Sequence, residues 1–445
     1  MRYNLPVLTT DNQSVNKAFR IAYSDIMANI VRTKSGLLEC EAEVIYAGMG
    51  YKSPWTRDAA INVSNCCAML FPEAAKSTLL SVIDSETMRI GGEYWDFVIW
   101  ILGAWNYYLC THDDDFLRLA VQFGKNSLDF LEETEFNDEL NLFRGPACYG
   151  DGVAAYPDIY AKTGESGIAK FAVEYPQLCA NIGVGIPMFT LSTNCLYYRA
   201  YEIMSLMTDN AEYKDKAARM KAAVNKHFWM EDKGYYRYIK DGFGNCDRQE
   251  GMGQSFAVLF GIADEHQTRL IMKNQHITPN GIACVWPSFE RYTKDENEFG
   301  RHSGTVWPHI QSFWADAAAR CGHEEICGFE FDNMTDKAIR DGHFAEMYHP
   351  INGSIYGGLQ ELNKKGIVSW ASQVKQTWSA TGYMRIILFD IFGIRLDDGN
   401  ITFRPKKISG ITVAKIENII IGNKLINLKM SDGKTEITKE VEIQK

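Results

Sequence analysis

Carboxylates, arginines and aromatic residues recur in short clusters, each placed just before an apolar helical segment. The clusters occupy residues 54–58, 91–96, 145–151, 247–251, 300–308, 345–350 and 376–379. A carboxylate can transfer a proton or accept hydrogen bonds from two hydroxyls, and a guanidinium donates in a fixed fork. An aromatic ring can stack on an apolar sugar face while its N–H or O–H group reaches a hydroxyl. These residue types favour acid–base chemistry on a hydroxyl-rich ligand.

Composition narrows the class of partner. The 445 residues carry a net charge of −10 without any basic block, and 46% are hydrophobic, 23% charged and 12% aromatic. Such a surface suits neither nucleic acid nor an anionic membrane. No window of about 18 apolar residues is present to span a membrane. A neutral ligand such as an oligosaccharide carries no charge penalty on such a surface, and the oligomeric state stays open.

Helical periodicity dominates from Val15 to about Phe392. It predicts helices near residues 12–33, 57–70, 73–84, 94–111, 114–133, 190–207, 211–228, 250–262, 264–274, 305–321, 323–341 and 372–392. After the first helix, most fall into pairs joined by short turns. Asp or Asn in turns such as Thr111-His112-Asp113 can cap the next helix.

Short turns alternate with long connections rich in Gly, Pro, Trp and Tyr. Six helical hairpins in a ring place the short turns at one end and the long loops at the other, around a central funnel. We therefore predict an all-α fold, an (α/α)6 toroid over residues 1–395. An α-solenoid would favour a regular repeat length, which is absent.

The tail changes character after residue 395. Short β-like runs from Ile401 onward are separated by turn signals at Asp398-Gly399, Gly422-Asn423 and Asp432-Gly433. Strands this short do not stand alone. Residues 396–445 are predicted to form a small antiparallel β cap packed on the toroid.

Cysteine usage favours a reducing compartment. The 11 cysteines lack a regular spacing and include no CxxC motif. Buried free thiols in the cytoplasm are the simpler interpretation, with a periplasmic or secreted protein the alternative if an export signal was trimmed. No metal or other cofactor is expected, because zincin, EF-hand and phosphate-loop patterns are absent.

Taken together, these segments resemble the six-hairpin glycoside hydrolases: trehalases, processing α-glucosidases, glucoamylases and amylo-1,6-glucosidases. The resemblance spans roughly residues 10–395. The Trp55-x-Arg57-Asp58 segment is similar to the glucoamylase-type segment that holds sugar hydroxyls in the −1 subsite. Residues 344–350 resemble the segment that carries the general base in trehalase and α-glucosidase relatives. Residues 378–380 are similar to a Trp segment that lines the substrate.

The resemblance implies hydrolysis of a glycosidic bond with Glu346 as general base. The trehalase acid segment Glu-Ser-Gly-Trp-Asp is absent, so topology assigns the general acid to Asp151, with Asp158 and more distantly Glu93 in reserve. An inverting enzyme needs its two carboxyls about 6.5–9.5 Å apart, and a desolvated acid with a raised pKa. We predict an inverting, exo-acting glycosidase for an α-linked glucoside or related hexoside.

Substrate contacts are predicted from the remaining cluster residues. Arg57 and Asp58 would anchor hydroxyls, and Trp rings would provide stacking surfaces. His349 could also donate to a hydroxyl. The predicted substrate-binding residues are Trp55, Arg57, Asp58, Tyr94, Trp95, Asp96, His302, Trp307 and Trp378.

Other functions stay open on the same fold. A phosphorylase would need basic donors for phosphate in place of Glu346, an epimerase would use a His pair such as His302 and His349, and a lyase would need a Tyr or His base. A catalytically silent carbohydrate-binding protein would keep the Trp residues and lose a carboxylate. Fold alone does not decide between these functions.

Overall fold

The computed structural model describes residues 5–180, 185–397 and 400–443, and twelve long helices dominate these ranges. They are α1 Gln13–Ala28, α2 56–70, α3 Pro72–Leu80, α4 Asp96–Thr111, α5 Asp114–Glu135, α6 Leu191–Thr208, α7 Ala211–Phe228, α8 Gly251–Leu259, α9 Glu265–Asn274, α10 Pro308–Arg320, α11 Glu324–Asp341 and α12 377–391. A short helix, Lys170–Glu174, lies in the long loop before α6. None of these described helices is long and apolar enough to cross a membrane.

Six of the helices form a closed inner ring. Helices α2, α4, α6, α8, α10 and α12 contact one another in cyclic order, and contacts between α12 and α2 close the circle. The inner helices α2, α10 and α12 are buried along almost their whole length. Outer helices such as α5 and α7 bury one face only. The predicted toroid of helical hairpins is confirmed. Helix α1 packs on α12, so the first helix of the chain lies beside the last helix of the ring.

Side-chain caps begin three of the outer helices at the short turns. The Asp113 carboxylate accepts from the N–H of Phe116 at 3.0 Å and begins α5. Asn210 begins α7, and Asp264 begins α9 with a capping box. Each cap satisfies an N–H group that has no partner within its own helix. The capping role predicted for these turn residues is confirmed.

The first helix is shorter than its periodicity predicts. It ends at Ala28, and Ile30–Thr33 forms a strand antiparallel to Ala42–Ile45. The sequence Ile-Val-Arg-Thr is rich in β-branched residues, which lose rotamer freedom in a helix and pack well in a strand. The prediction of helix to residue 33 was wrong for this reason.

Short antiparallel strand pairs lie in the connections between the helices, so the predicted all-α fold is only partly confirmed. The pairs are Ile83–Asp84 with Arg89–Ile90, Phe136–Asn137 with Leu142–Phe143, Met188–Thr190 with Ile239–Asp241, Trp229–Met230 with Tyr235–Tyr236, Gln249–Glu250 with Val285–Trp286, Ile277–Thr278 with Gly281–Ile282, and Leu359–Glu361 with Ile367–Ser369. They pair backbone groups in the long loops that would otherwise lack partners, and so make those loops rigid.

The predicted C-terminal strands are present and acquire an additional member. Val413–Ile421, Lys424–Ser431 and Lys434–Glu442 form an antiparallel sheet, and Val7–Thr10 from the N-terminal end pairs along Val413–Ile421. A separate pair joins Ile394–Asp397 to Asn400–Phe403. The turn predicted at Asp398-Gly399 lies outside the described residues. Apolar side chains on the inner face of the sheet, including Ile416, Leu428 and Met430, are buried.

The barrel closes through one buried amide at the end of α1. The Asn29 Nδ2 donates to the carbonyl of Lys375 at 2.7 Å and to the Thr377 Oγ1 at 2.9 Å. Asn29 is only 2% exposed. Its bonds tie the first outer helix to the start of the last inner helix, nearly 350 residues later in the chain.

Replacing Asn29 with Ala should weaken this closure. The change leaves the partly buried carbonyl of Lys375 and the buried hydroxyl of Thr377 without this donor, and we expect a loss of about 2–3 kcal/mol in the free energy of unfolding. Urea unfolding measures it. The control is Asn333→Ala, which removes an exposed side-chain bond to Phe329 and should change stability by less than about 0.5 kcal/mol. Equal midpoints for the two variants would contradict this role of Asn29.

Candidate active site

A deep pocket opens at the ends of the inner helices where the long loops meet. It encloses about 680 Å³ of space, counted together with the open solvent at its mouth. The lining combines carboxylates, arginines and rings: Tyr51, Arg57, Asp58, Tyr149, Asp151, Gly152, Ser166, Gly167, Arg301, His302, Trp307, Glu346, Gln360, Trp370 and Trp378. Seven residues predicted from separate clusters therefore meet in one pocket.

Glu346 is held on its loop by three donors. The Arg301 Nη2 donates to Glu346 Oε2 at 2.8 Å, the Tyr51 hydroxyl donates to Oε1 at 3.0 Å, and the backbone N–H of Gln373 donates to Oε2 at 3.3 Å. The side chain is 2% exposed. Hydrogen bonds to both carboxylate oxygens fix the orientation of the side chain.

Asp151 faces the same pocket from the long loop before α6. Its Oδ2 accepts from Arg57 Nη2 at 2.9 Å, and its Oδ1 lies 3.4 Å from His302 Nε2. Burial alone would raise the pKa of Asp151, but the charge of Arg57 and the bond from His302 outweigh burial and hold that pKa well below its usual range. The expected raised pKa of Asp151 was wrong, because nothing in the residues around it indicates that an arginine reaches it.

Two consecutive residues connect both carboxylates. Arg301 bonds to Glu346, while its neighbour His302 contacts Asp151. This dipeptide therefore contacts both carboxylates from one short stretch of the loop. Arg301 is itself fixed by Nη1 bonds to the carbonyls of Gly357 and Ala371, both at 3.1 Å.

Asp58 adds a third carboxyl group to the pocket, and its pKa is shifted in the opposite direction to that of Asp151. Burial raises the pKa of Asp58 to about 8. Arg57 opposes that rise, whereas the negative charges of Asp96, Glu346 and Asp151 add to it. Asp58 is therefore largely a neutral carboxylic acid near pH 7, able to donate one hydrogen bond and accept others.

Rings and unpartnered polar atoms complete the pocket wall. His302 stacks on Trp307 at 5.1 Å between centroids, and Trp307 meets Trp378 edge-on at 5.8 Å. Several buried atoms have no hydrogen-bond partner among the described residues: Arg57 Nη1, Asp58 Oδ1, His302 Nδ1, Gln360 Oε1, Trp370 Nε1 and Trp378 Nε1. Donors and acceptors that converge beside rings match a ligand with many hydroxyls.

Four predicted substrate contacts lie behind the pocket wall. Trp55 and Trp95 pack on Arg57, with the guanidinium carbon 5.1 Å and 5.6 Å from their ring centroids. Tyr94 stacks on Trp95 at 6.0 Å. Asp96 Oδ2 accepts from the N–H of Glu93 at 2.8 Å. These side chains support Arg57 and do not line the pocket.

Two further candidates also lie apart from the pocket lining. His349 Nε2 lies 2.9 Å from the carbonyl of Asn297, and its Nδ1 accepts from backbone N–H groups. Both ring nitrogens therefore already have hydrogen-bond partners in the backbone. Asp158 is 72% exposed and bonds to Arg291 at 2.7 Å. Neither residue contributes a side chain to the pocket.

Eight of the fifteen lining residues were not among the sequence candidates, and four of them bear on the site directly. Tyr51 and Arg301 orient Glu346, while Gln360 and Trp370 lie on or beside a strand pair, Leu359–Glu361 with Ile367–Ser369. Arg301 belongs to the cluster at 300–308, and its charge beside His302 was the only signal available. Among the described residues, no group of three or more His, Cys, Asp and Glu side chains could hold a metal.

Known proteins share this fold and part of the sequence. Residues 195–379 match the family described as "Mannosylglycerate hydrolase MGH1-like glycoside hydrolase domain". This segment carries Arg301, His302, Glu346 and Trp378, and it excludes Asp151. No curated protein sequence matches the chain.

Solved glycosidase structures superpose on the chain. A GH63 mannosylglycerate hydrolase from Thermus thermophilus, in complex with glucose, has a TM-score of 0.62 at 12% identity, and the alignment covers 82% of this chain and 98% of that one. A sialidase gives 0.68 at 13%, covering 98% and 40%. A GH78 family rhamnosidase of Bacillus sp. GL1 gives 0.61 at 15%, covering 97% and 41%.

The chain spans about two fifths of the length of the sialidase and the rhamnosidase. At such low identity the structural likeness establishes the fold, while the family match identifies a glycoside hydrolase domain. The resemblance to six-hairpin glycosidases inferred from the sequence is thereby confirmed, as is the glycoside hydrolase class of the domain.

Replacing Asp58 with Asn should change how stability depends on pH. Folding raises the pKa of Asp58 to about 8, so the folded state favours the protonated carboxyl. The resulting stabilisation is complete below about pH 4 and is lost as pH rises through about 8. Asn stays neutral, so the variant should gain stability relative to wild type from about pH 5 to 8, by at most about 1.4 kcal/mol per pH unit.

Urea unfolding at pH 5, 6.5 and 8 measures this difference. Asp115→Asn is the matched control, because the Asp115 side chain is 82% exposed and should give a constant difference from wild type. A constant difference for Asp58→Asn as well would refute the burial argument.

Proposed function

We propose that the chain is an inverting, exo-acting hydrolase of a short α-linked glycoside. The observation that carries the proposal is the pair Asp151 and Glu346: they lie in loops far apart in the chain, face one pocket and are each bonded to a different arginine. Two carboxyls across a pocket are the groups that glycoside hydrolysis requires. A closed toroid with a deep pocket at its loop end favours exo action.

Glu346 is proposed as the general base. Its carboxylate lies almost fully enclosed, with both oxygens oriented by Tyr51 and Arg301. A fixed carboxylate of this kind can take a proton from a water that attacks the anomeric carbon from the opposite side of the sugar. The proton that water loses ends on a Glu346 oxygen, while Arg301 and Tyr51 keep the side chain in position.

Asp151 is proposed as the general acid, a role that requires it to carry a proton. Arg57 favours its ionised form, but 35% of the Asp151 side chain is exposed. A bound sugar would cover that surface and exclude water, and desolvation raises the pKa of a carboxyl. We therefore expect substrate binding to raise the pKa of Asp151 toward the range in which it protonates the leaving oxygen.

Glu93 is the alternative donor that one observation favours. Burial and the nearby charge of Asp151 raise the pKa of Glu93 to about 7, a value suited to acid catalysis near neutral pH. However, Glu93 lines a neighbouring pocket beside Trp55 rather than the main one. Asp158 is a weaker candidate because it is exposed and bonded to Arg291.

Sugar hydroxyls would bind through Arg57 Nη1, Asp58 Oδ1 and Gln360 Oε1. These three atoms have no hydrogen-bond partner among the described residues. Trp378 and Trp307 supply the apolar surface. The matched family is named for mannosylglycerate hydrolase, which points to one sugar on a small organic acid. Suitable substrates to screen are therefore mannosylglycerate and α-linked hexosyl disaccharides.

The alternative reactions have less support. An epimerase using His302 and His349 would need both rings in the pocket, and His349 is bonded to backbone groups elsewhere. A phosphorylase would need basic donors for phosphate in place of the water-activating carboxylate, whereas the Glu346 carboxylate lies in the pocket. The eleven free cysteines, most of them buried, support the proposal of a cytoplasmic, reducing location.

Glu346→Gln should lower kcat by about three or more powers of ten, because the variant lacks the carboxylate that activates water. Release of reducing sugar from the best screened substrate measures it. Glu250→Gln is the matched control: Glu250 is buried at the start of α8, and burial raises its pKa to about 8, so Gln resembles its protonated form. Wild-type turnover by Glu346→Gln would remove it from the mechanism.

The acid role and the stereochemistry are tested together. Asp151→Asn should lower activity on a natural disaccharide at least about a hundredfold more than on a glycosyl fluoride, whose leaving group needs little protonation. Proton NMR of the first sugar released should reveal the β anomer. Glu93→Gln and Asp158→Asn serve as parallel controls. An α product would exclude inversion, and the same selective loss in Glu93→Gln instead would transfer the acid role to Glu93.

A further inference from the structure

A second large pocket lies at the opposite ends of the inner helices, and we name it the far pocket. It encloses about 980 Å³ of empty space including its mouth. Four arginines line it: Arg199 on α6, Arg320 at the end of α10, Arg385 on α12 and Arg395 just after α12. The active-site pocket is built instead from the beginnings of the inner helices.

The four arginines lie at different depths in the far pocket. The exposed fraction of the side chain is 38% for Arg320 and 29% for Arg199, which therefore lie at the rim. It falls to 13% for Arg395 and 10% for Arg385, which lie deeper. A ligand that enters would meet guanidinium groups from the rim to the floor.

Carboxylates balance only part of this positive charge. Asp316 bonds to Arg385, and Glu202 pairs with Arg199 at 3.1 Å. The carboxyl beside Arg395 is Asp390, which is fully buried, and burial raises its pKa well above the usual range. Asp316 is bonded to both Arg320 and Arg385, so the four arginines share three carboxyl groups, those of Glu202, Asp316 and Asp390.

The pKa of Arg395 is shifted by the neighbouring arginines. Burial lowers the pKa of Arg395, repulsion from Arg320 and Arg385 lowers it further, and the carboxyls of Asp316 and Asp390 offset only part of this change. Its Nη1 bonds to the carbonyls of Phe389 and Ile394, and its Nη2 lies 3.6 Å from the Asp390 Oδ1. An anion placed among these arginines would relieve the repulsion between them.

Aromatic rings form the apolar part of the wall. The guanidinium carbon of Arg385 lies 4.5 Å from the Phe313 ring centroid and 5.1 Å from that of Phe389. Trp105 and Phe260 line the same cavity. Rings beside arginines suit a ligand with an anionic group and a flat or apolar body.

We propose that the far pocket binds a small organic anion, a phosphate monoester or carboxylate attached to a flat or apolar group. The guanidinium forks bind the anionic group, and the rings cover its body. The site is distinct from the active-site pocket: along α12, Trp378 in the active site and Phe389 in the far pocket are separated by roughly 16 Å of helix. The proposal does not depend on which glycoside is cleaved.

Calorimetric titration of the full chain tests the site with three probes: phenyl phosphate, benzoate and inorganic phosphate. We expect one mole of phenyl phosphate or benzoate per chain, with inorganic phosphate binding more weakly because it lacks a ring. Arg199→Gln and Arg395→Gln should each raise Kd at least about tenfold. Arg118→Gln, at an exposed surface position, and Trp378→Ala, in the active-site pocket, should leave Kd unchanged.

The three probes and the variants separate results that support the far pocket as a binding site from results that overturn it. Preference for phenyl phosphate or for benzoate identifies the anionic group, and either result supports the site. Absence of binding by both aromatic probes at millimolar concentration would overturn it, as would a Kd that Arg199→Gln leaves unaltered or that Trp378→Ala raises. Should Arg395→Gln fail to fold, Arg199→Gln decides alone, because its side chain lies at the rim. Equal affinity for inorganic phosphate would refute the organic part of the ligand.

Discussion

Arg57 occupies an enclosed position among four carboxyl groups at the loop end of the toroid. Burial alone would lower its pKa, but Asp151, Asp96, Asp58 and Glu93 together raise it well above the usual range. Without that guanidinium, these carboxyls would face one another in a poorly hydrated space, where like charges strongly oppose ionisation. The acidic wall of the pocket therefore depends on this one cation, which its own helix α2 positions and the rings of Trp55 and Trp95 hold in place.

The same cation separates the protonation of neighbouring carboxyls. Arg57 donates directly to Asp151 and lowers its pKa, whereas it lies 3.9 Å from Asp58, whose pKa is raised by burial. One group is thus ionised and the adjacent one neutral near pH 7. Environments that drive the pKa values of paired groups apart commonly divide their roles between proton transfer and hydrogen bonding.

Ring closure makes this arrangement possible. The inner helices begin at one end of the barrel, so every long loop delivers its residues to the same rim. The opposite end collects the arginines of the far pocket, where the inner helices finish. Positive side chains are favoured at helix C-termini and carboxylates near N-termini, and Arg320 in the last turn of α10 and Asp58 in the first turn of α2 follow this preference. The two ends of the barrel therefore differ in chemistry because all six inner helices run in the same direction.

The sequence by itself determined the helices, the capped turns and the clusters that reach the rim. Periodicity and capping are local properties, and Asp113 or Asp264 can be recognised from its immediate neighbours. Only the tertiary structure decided which cluster residues face the pocket. Trp95 and Asp96 lie behind Arg57, while Tyr51 and Gln360 enter from loops without a distinctive pattern. The lowered pKa of Asp151 could not be predicted from the sequence either. Its partners Arg57 and His302 are distant in the chain, and electrostatic interactions depend on distance in space.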